Sequence, residues 1–170
     1  HYSLEFQVRD RSTHRSIEPR PTTLTPIQIA SRPRTFSAPA LPQPSNTRFD
    51  QLATLIGAAT DRAGNTLTIT LYWRAQSITS TNYTVFVQLT RPDGQVVQQI
   101  DRWQIGGDNP TATWTVDQIV GDAYAFDVPS GEYQVWVGVY NAADGQRLPA
   151  FDAQGQRLPD DRALITTVNK

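Results

Sequence analysis

The sequence predicts an all-β protein: an antiparallel two-sheet β-sandwich, immunoglobulin-like or jelly-roll-like, preceded by an extended Pro-rich N-terminal arm. Apolar and polar residues alternate strictly through several stretches of eight or nine residues. That pattern is typical of strands with one buried face. Turn-forming Gly, Pro, Asp and Asn residues separate the stretches, and many short strands joined by such turns indicate a sandwich or barrel. Thr, Val, Gln and aromatic residues are common, which also favours strands.

The clearest alternation occurs in three stretches. They are Leu67–Ala75 (LTITLYWRA), Asn82–Thr90 (NYTVFVQLT) and Glu132–Tyr140 (EYQVWVGVY). Weaker strand patterns lie at Asp50–Ala58, Gln95–Trp103, Thr113–Val116, Asp122–Val128, Gln146–Phe151 and Ala163–Val168. We therefore expect about eight to ten strands and negligible helix, with at most one helical turn near Thr115–Val120.

Residues 1–48 differ from residues 49–170 in composition. The first region contains seven of the twelve Pro residues and no Gly, and its formal charge is +4 against −5 for the remainder. Pro fixes φ and disfavours helical backbone in the residue before it, so we expect an extended, Arg-rich arm. Short alternating runs at Leu4–Val8 and Thr23–Ala30 predict one or two strands of the arm that pack on the sandwich domain. The Arg side chains face either acidic residues of that domain or acidic lipid headgroups.

Composition excludes several classes of function. The chain has 170 residues, which suits one domain with an arm, and it has no Cys for a disulfide, a thiol nucleophile or a thiolate metal site. A net charge of −1 argues against a nucleic-acid partner, which requires a basic surface. No apolar run approaches the roughly 18–20 residues that span a membrane. Met is absent even at the first position, and we expect the chain to be a fragment of a larger protein.

The phrase GQRLP occurs twice, at Gly145–Pro149 and Gly155–Pro159. It is either a ligand-binding repeat or a pair of similar turns. The phrases ADGQ and AQGQ place Gly where a turn requires positive φ. Pro149 and Pro159 lack an amide donor, which suits an edge strand or a strand end. The sequence therefore favours two turns around a short edge strand, RLPAF.

Polar residues give no convincing catalytic or metal site. His1 and His14 both lie in the arm without a ligand-spaced partner, so we predict no metal and no cofactor. Asp160 and Asp161 are the only adjacent carboxylates, and neighbours on a strand point to opposite faces rather than across a cleft. We predict a solvated turn there and no catalytic residue. Calcium remains an open alternative at three turn carboxylates if their loops converge: Asp93, Asp144 and Asp152.

Aromatic residues divide into two sets by strand parity. Trp73, Tyr83 and Tyr133 share parity with aliphatic residues and are expected in the core. Trp103 and Trp114 flank the IGGDNP loop, and we expect both to pack. The opposite parity carries rings and amides that could stack on and hydrogen-bond to a sugar. These candidate ligand-binding residues are Tyr72, Phe86, Gln88, Gln134, Trp136 and Tyr140. The alternative is that the arm or the second sheet covers this face, so that the rings are core.

Several phrases, in order, resemble a bacterial extracytoplasmic β-sandwich module. The matching stretches are Leu67–Ala75, Asn82–Leu89, Asp93–Gln99 (DGQVVQQ), Asn109–Trp114 (NPTATW) and Val120–Pro149. That module lies C-terminal to the membrane-spanning part of proteins similar to dolichyl-phosphate-mannose-type glycosyltransferases. The resemblance covers residues 49–170 and implies location and architecture, but no catalytic residue. In that family a His can occupy the place of Gln88, so any role of that ring does not transfer to this chain.

We therefore predict a non-catalytic extracytoplasmic module, tethered to the cell membrane in the full-length protein. The expected partners are the parent membrane-protein chain and a glycan or lipid-linked sugar, which the module binds or positions for a glycosyltransferase-like parent. The alternative is a structural or protein-interaction domain with no small-molecule ligand. An autonomous hydrolase is disfavoured, because no convergent pair of acids is evident.

Overall fold

The computed structural model describes residues 12–13 and 33–169 of the chain. The chain divides into two units, His1–Pro33 and Arg34–Lys170. The strands predicted at Leu4–Val8 and Thr23–Ala30 lie outside the described residues.

Nine strands and three short 3₁₀ turns make up the regular structure of the described residues, which contain no α-helix. The strands are β1 (Gln43–Phe49), β2 (Ala53–Ala63), β3 (Thr66–Ala75), β4 (Tyr83–Thr90), β5 (Val96–Arg102), β6 (Ile119–Asp127), β7 (Glu132–Asn141), β8 (Ala150–Phe151) and β9 (Arg162–Asn169). The 3₁₀ turns span Gln104–Gly107, Thr111–Thr113 and Pro159–Asp161. The all-β prediction is confirmed. Among the described residues, no helix combines the length and apolar character needed to cross a bilayer.

The strands form two antiparallel sheets. One has five strands in the order β6–β3–β2–β1–β8, and the other has four in the order β5–β4–β7–β9. Within residues 33–169 the strands of both sheets pair antiparallel to their neighbours. The predicted antiparallel two-sheet sandwich is therefore confirmed.

The core lies between the sheets and is built by strand alternation. In β3, every second residue from Leu67 to Trp73 is buried while the intervening residues are partly exposed. Because consecutive side chains of a strand point to opposite faces, one face of each sheet can be wholly apolar. Phe49 of β1 packs against Trp73 with the ring centroids 5.5 Å apart. The Val residues of β7 meet this layer from the other sheet.

The first strand begins within the stretch expected to be an arm. β1 (Gln43–Phe49) spans the expected boundary at residues 48 and 49, and it pairs with both β2 and β8. Its alternation is obscured in the sequence because Pro44 removes one amide donor and the register shifts between Pro44 and Thr47. The apolar contribution of the strand comes mainly from its last residue, Phe49.

The loop after β5 differs from expectation in two respects. The strand predicted at Thr113–Val116 is wrong, because Thr111–Thr113 forms a 3₁₀ turn instead. Trp114 packs as expected: it is buried, and its indole N–H donates to the carbonyl of Asn109 at 3.0 Å. Trp103 does not pack, since 43% of its surface is exposed.

The two GQRLP phrases form two turns around an edge strand, as predicted. Gly145 and Gly155 have φ values of 72° and 80°, the left-handed region that favours glycine. Asn141 and Gln146 close the first turn by a backbone hydrogen bond of 2.9 Å. Between the turns, β8 occupies the edge of the five-stranded sheet.

Candidate functional site

Five of the six predicted ligand-binding residues lie on the outer face of the four-stranded sheet. Phe86 and Gln88 come from β4, and Gln134, Trp136 and Tyr140 come from β7. Gln88 is directly opposite Trp136 in the antiparallel register. Paired residues share a face of the sheet, so these side chains form one surface, here called the outer face.

Tyr72 does not join them. It lies on β3, in the five-stranded sheet, so the prediction that it shares a ligand-binding surface with Phe86 is wrong. The chain changes sheets between β3 and β4. Tyr72 is half-buried and lines a shallow hollow with Gly121 and the segment around Thr35–Pro39.

Phe86 is a packing residue despite its outward parity. Only 2% of its surface is exposed. Its ring lies against the backbone of Gly138 on one side, and the Arg147 guanidinium lies 4.8 Å from the ring centroid. Tyr140 packs beside it, with the ring centroids 6.4 Å apart. This ring is therefore not accessible for stacking on a sugar.

Trp136 is more open. Its indole N–H donates to Thr90 Oγ1 at 3.2 Å, which fixes the ring against the neighbouring strand. The Arg162 guanidinium lies 4.5 Å from the ring centroid, in cation–π geometry. Gln134 is half-buried on the same strand, opposite Thr90.

A chain of hydrogen bonds crosses the outer face. Arg162 Nη1 donates to Gln88 Oε1 at 3.0 Å, and Gln88 Nε2 donates to Gln99 Oε1 at 2.6 Å. Gln99 Nε2 then donates to Asp101 Oδ1 at 2.5 Å. The two charges thus lie at opposite ends of two polarised amides. Gln88 is buried with both amide atoms bonded, so its role is to orient Arg162 rather than to contact a ligand.

Tyr140 belongs to the same surface. Its pKa is raised above the usual value, first because the hydroxyl is desolvated and then because of the Asp101 carboxylate. The phenol therefore stays neutral at physiological pH and keeps the proton that interacts with the Asp101 carboxylate.

A groove of about 430 Å³ lies beside edge strand β9. Its lining includes an indole, a guanidinium, a carboxylate and aliphatic groups: Trp136, Arg162, Asp160, Leu158, Pro159 and Leu164. Of these residues only Trp136 was predicted from the sequence to bind a ligand, and Asp160 was expected in a solvated turn. The sequence of β9 does not predict the groove, because the position of the groove residues depends on the register of β9 against β7.

Asp160 and Asp161 lie in the Pro159–Asp161 turn and have different environments. Asp161 accepts two hydrogen bonds of 2.7 Å from Arg157 and a third of 3.3 Å from the Ala150 amide. Arg157 is the main cause that lowers the pKa of Asp161 below its usual value. A carboxylate held in its ionised form is poorly suited to act as a general acid. The side chain of Asp160 is 66% exposed and lies 3.5 Å from Arg162 Nη2.

The three turn carboxylates considered for calcium each cap their own turn. Asp93 Oδ1 accepts from the Gln95 amide, and Asp144 Oδ1 accepts from the Gln146 amide, both at 2.9 Å. Asp152 Oδ1 accepts from two amides of its turn. Among the described residues, no group of three or more His, Cys, Asp or Glu is arranged to hold a metal ion.

Comparison with protein-family models finds no matching family, and comparison with curated proteins finds no match either.

Proposed function

We propose that this chain is a non-catalytic β-sandwich module that binds or positions carbohydrate in the groove beside Trp136. One observation carries the proposal: a half-buried indole, the Arg162 guanidinium and the exposed Asp160 carboxylate share one groove of about 430 Å³. A sugar presents apolar C–H surface together with hydroxyl groups that both donate and accept. An apolar wall with a few planar polar groups matches that chemistry.

The polar groups of the groove are positioned before any ligand arrives. Arg162 is fixed through Gln88 and stacks on Trp136, while its Nη2 lies 3.5 Å from Asp160 Oδ2 at the rim. A guanidinium has five N–H donors, and the weak 3.5 Å contact with the exposed Asp160 leaves room for hydroxyl partners. Asp160 supplies an acceptor beside this guanidinium, and half-exposed Leu164 supplies apolar surface. One or two sugar units fit this description better than a long glycan chain.

A second candidate is a structural or protein-interaction domain with no small-molecule ligand. It is favoured by the burial of Phe86 between Gly138 and Arg147, and by the complete hydrogen bonding of the Gln88 amide. Much of the predicted face is thus packing. The two candidates differ only in whether the remaining groove takes a ligand.

We further propose that the module is extracytoplasmic and is one part of a larger membrane-associated protein that is glycosyltransferase-like. The support is the ordered resemblance across residues 49–170 described above. The sequence encoded upstream tests it: several apolar helices are expected there. A secretory signal alone would contradict the parent-enzyme proposal while leaving carbohydrate binding untouched.

A glycan array tests the binding proposal. The wild-type chain should bind a subset of short oligosaccharides, and Trp136→Ala and Asp160→Asn should each weaken that binding. Tyr72→Ala is the matched control, because Tyr72 is a half-buried aromatic on the outer face of the other sheet. An equal loss of glycan binding in Tyr72→Ala, or an array on which the wild-type chain binds no glycan, would favour the structural or protein-interaction domain. Melting curves must show that each variant is folded.

The absence of catalysis is tested on the same material. We expect no turnover of glycosides or sugar phosphates by the wild-type chain, and no change when Asp160 and Asp161 are both replaced by Asn. Turnover that disappears in this double variant would contradict the proposal.

A further inference from the structure

The turn that follows β5 reverses the usual distribution of polar and apolar side chains. Gln104 is completely buried, while Trp103 and Ile105 on either side of it are 43% and 42% exposed. Large apolar side chains ordinarily turn inward and amides outward. The Gln104–Gly107 segment, here called the inverted turn, does the opposite.

This arrangement is unfavourable for the isolated turn. Ile105 has φ 52° and ψ 43°, and a β-branched residue in the left-handed region is strained. Among the described residues, neither Oε1 nor Nε2 of Gln104 has a hydrogen-bond partner, although both atoms are buried. Strain of this kind persists only where the surrounding structure enforces it.

The enforcing group is Asp122 on β6, which is 1% exposed. Its Oδ1 accepts the amide N–H of Ile105 at 3.0 Å and forms a 2.9 Å salt bridge with Arg102 Nη2. Arg102 in turn lies 4.1 Å from the ring centroid of Tyr124. A buried, charged cluster thus holds the backbone of the inverted turn in the conformation that sends Trp103 and Ile105 outward.

The surface that results has no charged side chain between residues 103 and 107. It consists of Trp103, Ile105 and the two glycines Gly106 and Gly107, since the Gln104 amide points inward. The carbonyls of Gln104 and Ile105 accept hydrogen bonds from amides three to five residues further on, so they need no water. Backbone groups satisfied internally are a requirement for entering an apolar medium.

We propose that the inverted turn is a shallow membrane-insertion tip that places Trp103 and Ile105 in the interfacial layer of a lipid bilayer. Two side chains are far too few for a stable protein interface, which covers about 800 Å² on each partner. Trp is one of the two residues, with Tyr, that are enriched at the bilayer interface. Exposed carboxylates at Asp101 and Asp108 flank the tip, so a zwitterionic surface suits it better than an anionic one.

The tip is independent of the carbohydrate proposal. It follows β5, at one edge of the four-stranded sheet, whereas the groove lies beside β9 at the other edge. Either can fail without the other.

Sedimentation with phosphatidylcholine vesicles tests the tip on the full chain. Zwitterionic vesicles are chosen because the Arg-rich N-terminal region would bind anionic ones regardless of the tip. Trp103→Ser should weaken binding by about tenfold, the effect of removing one buried aromatic group. Lipids brominated in the upper acyl chain should quench wild-type Trp fluorescence but not that of the variant.

Two further variants separate insertion from structure. Ile105→Asn should also weaken vesicle binding while preserving or raising the melting temperature, because Asn tolerates the left-handed region. Val96→Ser should leave binding unchanged, although Val96 is 48% exposed, since it begins β5 and lies at the opposite end of that strand from the tip. The proposal is overturned if wild-type chain fails to sediment with vesicles, if Val96→Ser is as defective as Trp103→Ser, or if Trp103 instead mediates self-association.

Discussion

The ring of Phe86 on β4 lies directly on the backbone of Gly138 on β7. The two residues are paired across the strands. A Cβ placed on residue 138 would overlap the ring atoms Cζ and Cε1. Glycine at 138 is therefore what allows an outward-facing ring to lie flat and become buried beneath Arg147.

Gly138→Ala should destabilise the protein strongly. The added methyl group must displace a ring that is confined on both faces, and overpacking of this kind costs about 1–3 kcal/mol. Urea denaturation measures the change. Gly121→Ala is the matched control, because its Cβ would meet only the edge of the Tyr72 ring, at 3.2 Å, and its cost should be smaller.

A double variant identifies the cause. In a Phe86→Leu background the ring is gone, so Gly138→Ala should cost clearly less than in the wild type. Equal costs in both backgrounds would show that the glycine serves the backbone rather than the ring.

Phe86→Ala should cost about 3–5 kcal/mol in unfolding free energy, as a large-to-small change at a buried site. Trp136→Ala should cost less, because Trp136 is half-exposed and lines the groove. Urea denaturation of the two variants checks the order. If Trp136→Ala proves the more destabilising, Trp136 is core rather than part of a binding surface.

Strand parity predicted the fold well, because the alternation of apolar and polar residues is determined mainly by which side chains are buried. The apolar residues of Leu67–Ala75 and Glu132–Tyr140 had to face a core in any sheet that contains them. β1 was less visible, since Pro44 and a register shift interrupt its pattern. The buried side chain of Phe49 is the one strong apolar signal that β1 carries.

Parity predicted the candidate site less well. It places Tyr72 and Trp136 outward but does not say on which sheet each lies, because sheet membership is decided by connections between strands. Parity also does not predict that the Arg147 guanidinium lies over the Phe86 ring and the Arg162 guanidinium over the Trp136 ring, because the partners are distant in sequence. Cation–π contacts and the groove depend on register and on side-chain direction, which alternation leaves undetermined.

Acid stability should depend on Asp161 and not on Asp160. Arg157 lowers the folded-state pKa of Asp161, so the stabilisation is complete above the unfolded value of about 3.9 and is lost as pH falls through the lower folded value. Asp161→Asn should therefore destabilise at pH 6, and its effect should shrink as pH falls below about 3.9. Urea denaturation at pH 6 and at a pH below about 3.9 measures this.

Asp160→Asn is the control for that series, since its side chain is largely exposed. It should change the unfolding free energy by less than about 0.5 kcal/mol at either pH. A loss in Asp161→Asn that is independent of pH would mean that hydrogen bonding to the Ala150 amide, and not charge, is what Asp161 contributes.

Asp122 should be the most sensitive carboxylate of the described residues. Its removal in Asp122→Ala leaves Arg102 partly buried without its counter-charge and leaves the Ile105 amide without an acceptor. Breaking a buried ion pair on one side costs about 3–5 kcal/mol, and the 25% exposure of the Arg102 side chain places this case near the lower value. Asp122→Asn keeps an acceptor for Ile105 and should cost less.

Iodide quenching of Trp fluorescence provides the second measurement. Asp122→Ala should alter the exposure of Trp103 by releasing the strained turn, whereas Asp122→Asn should preserve that exposure. Equal unfolding energies for the two variants, with unchanged quenching in both, would show that the turn holds its conformation without Asp122.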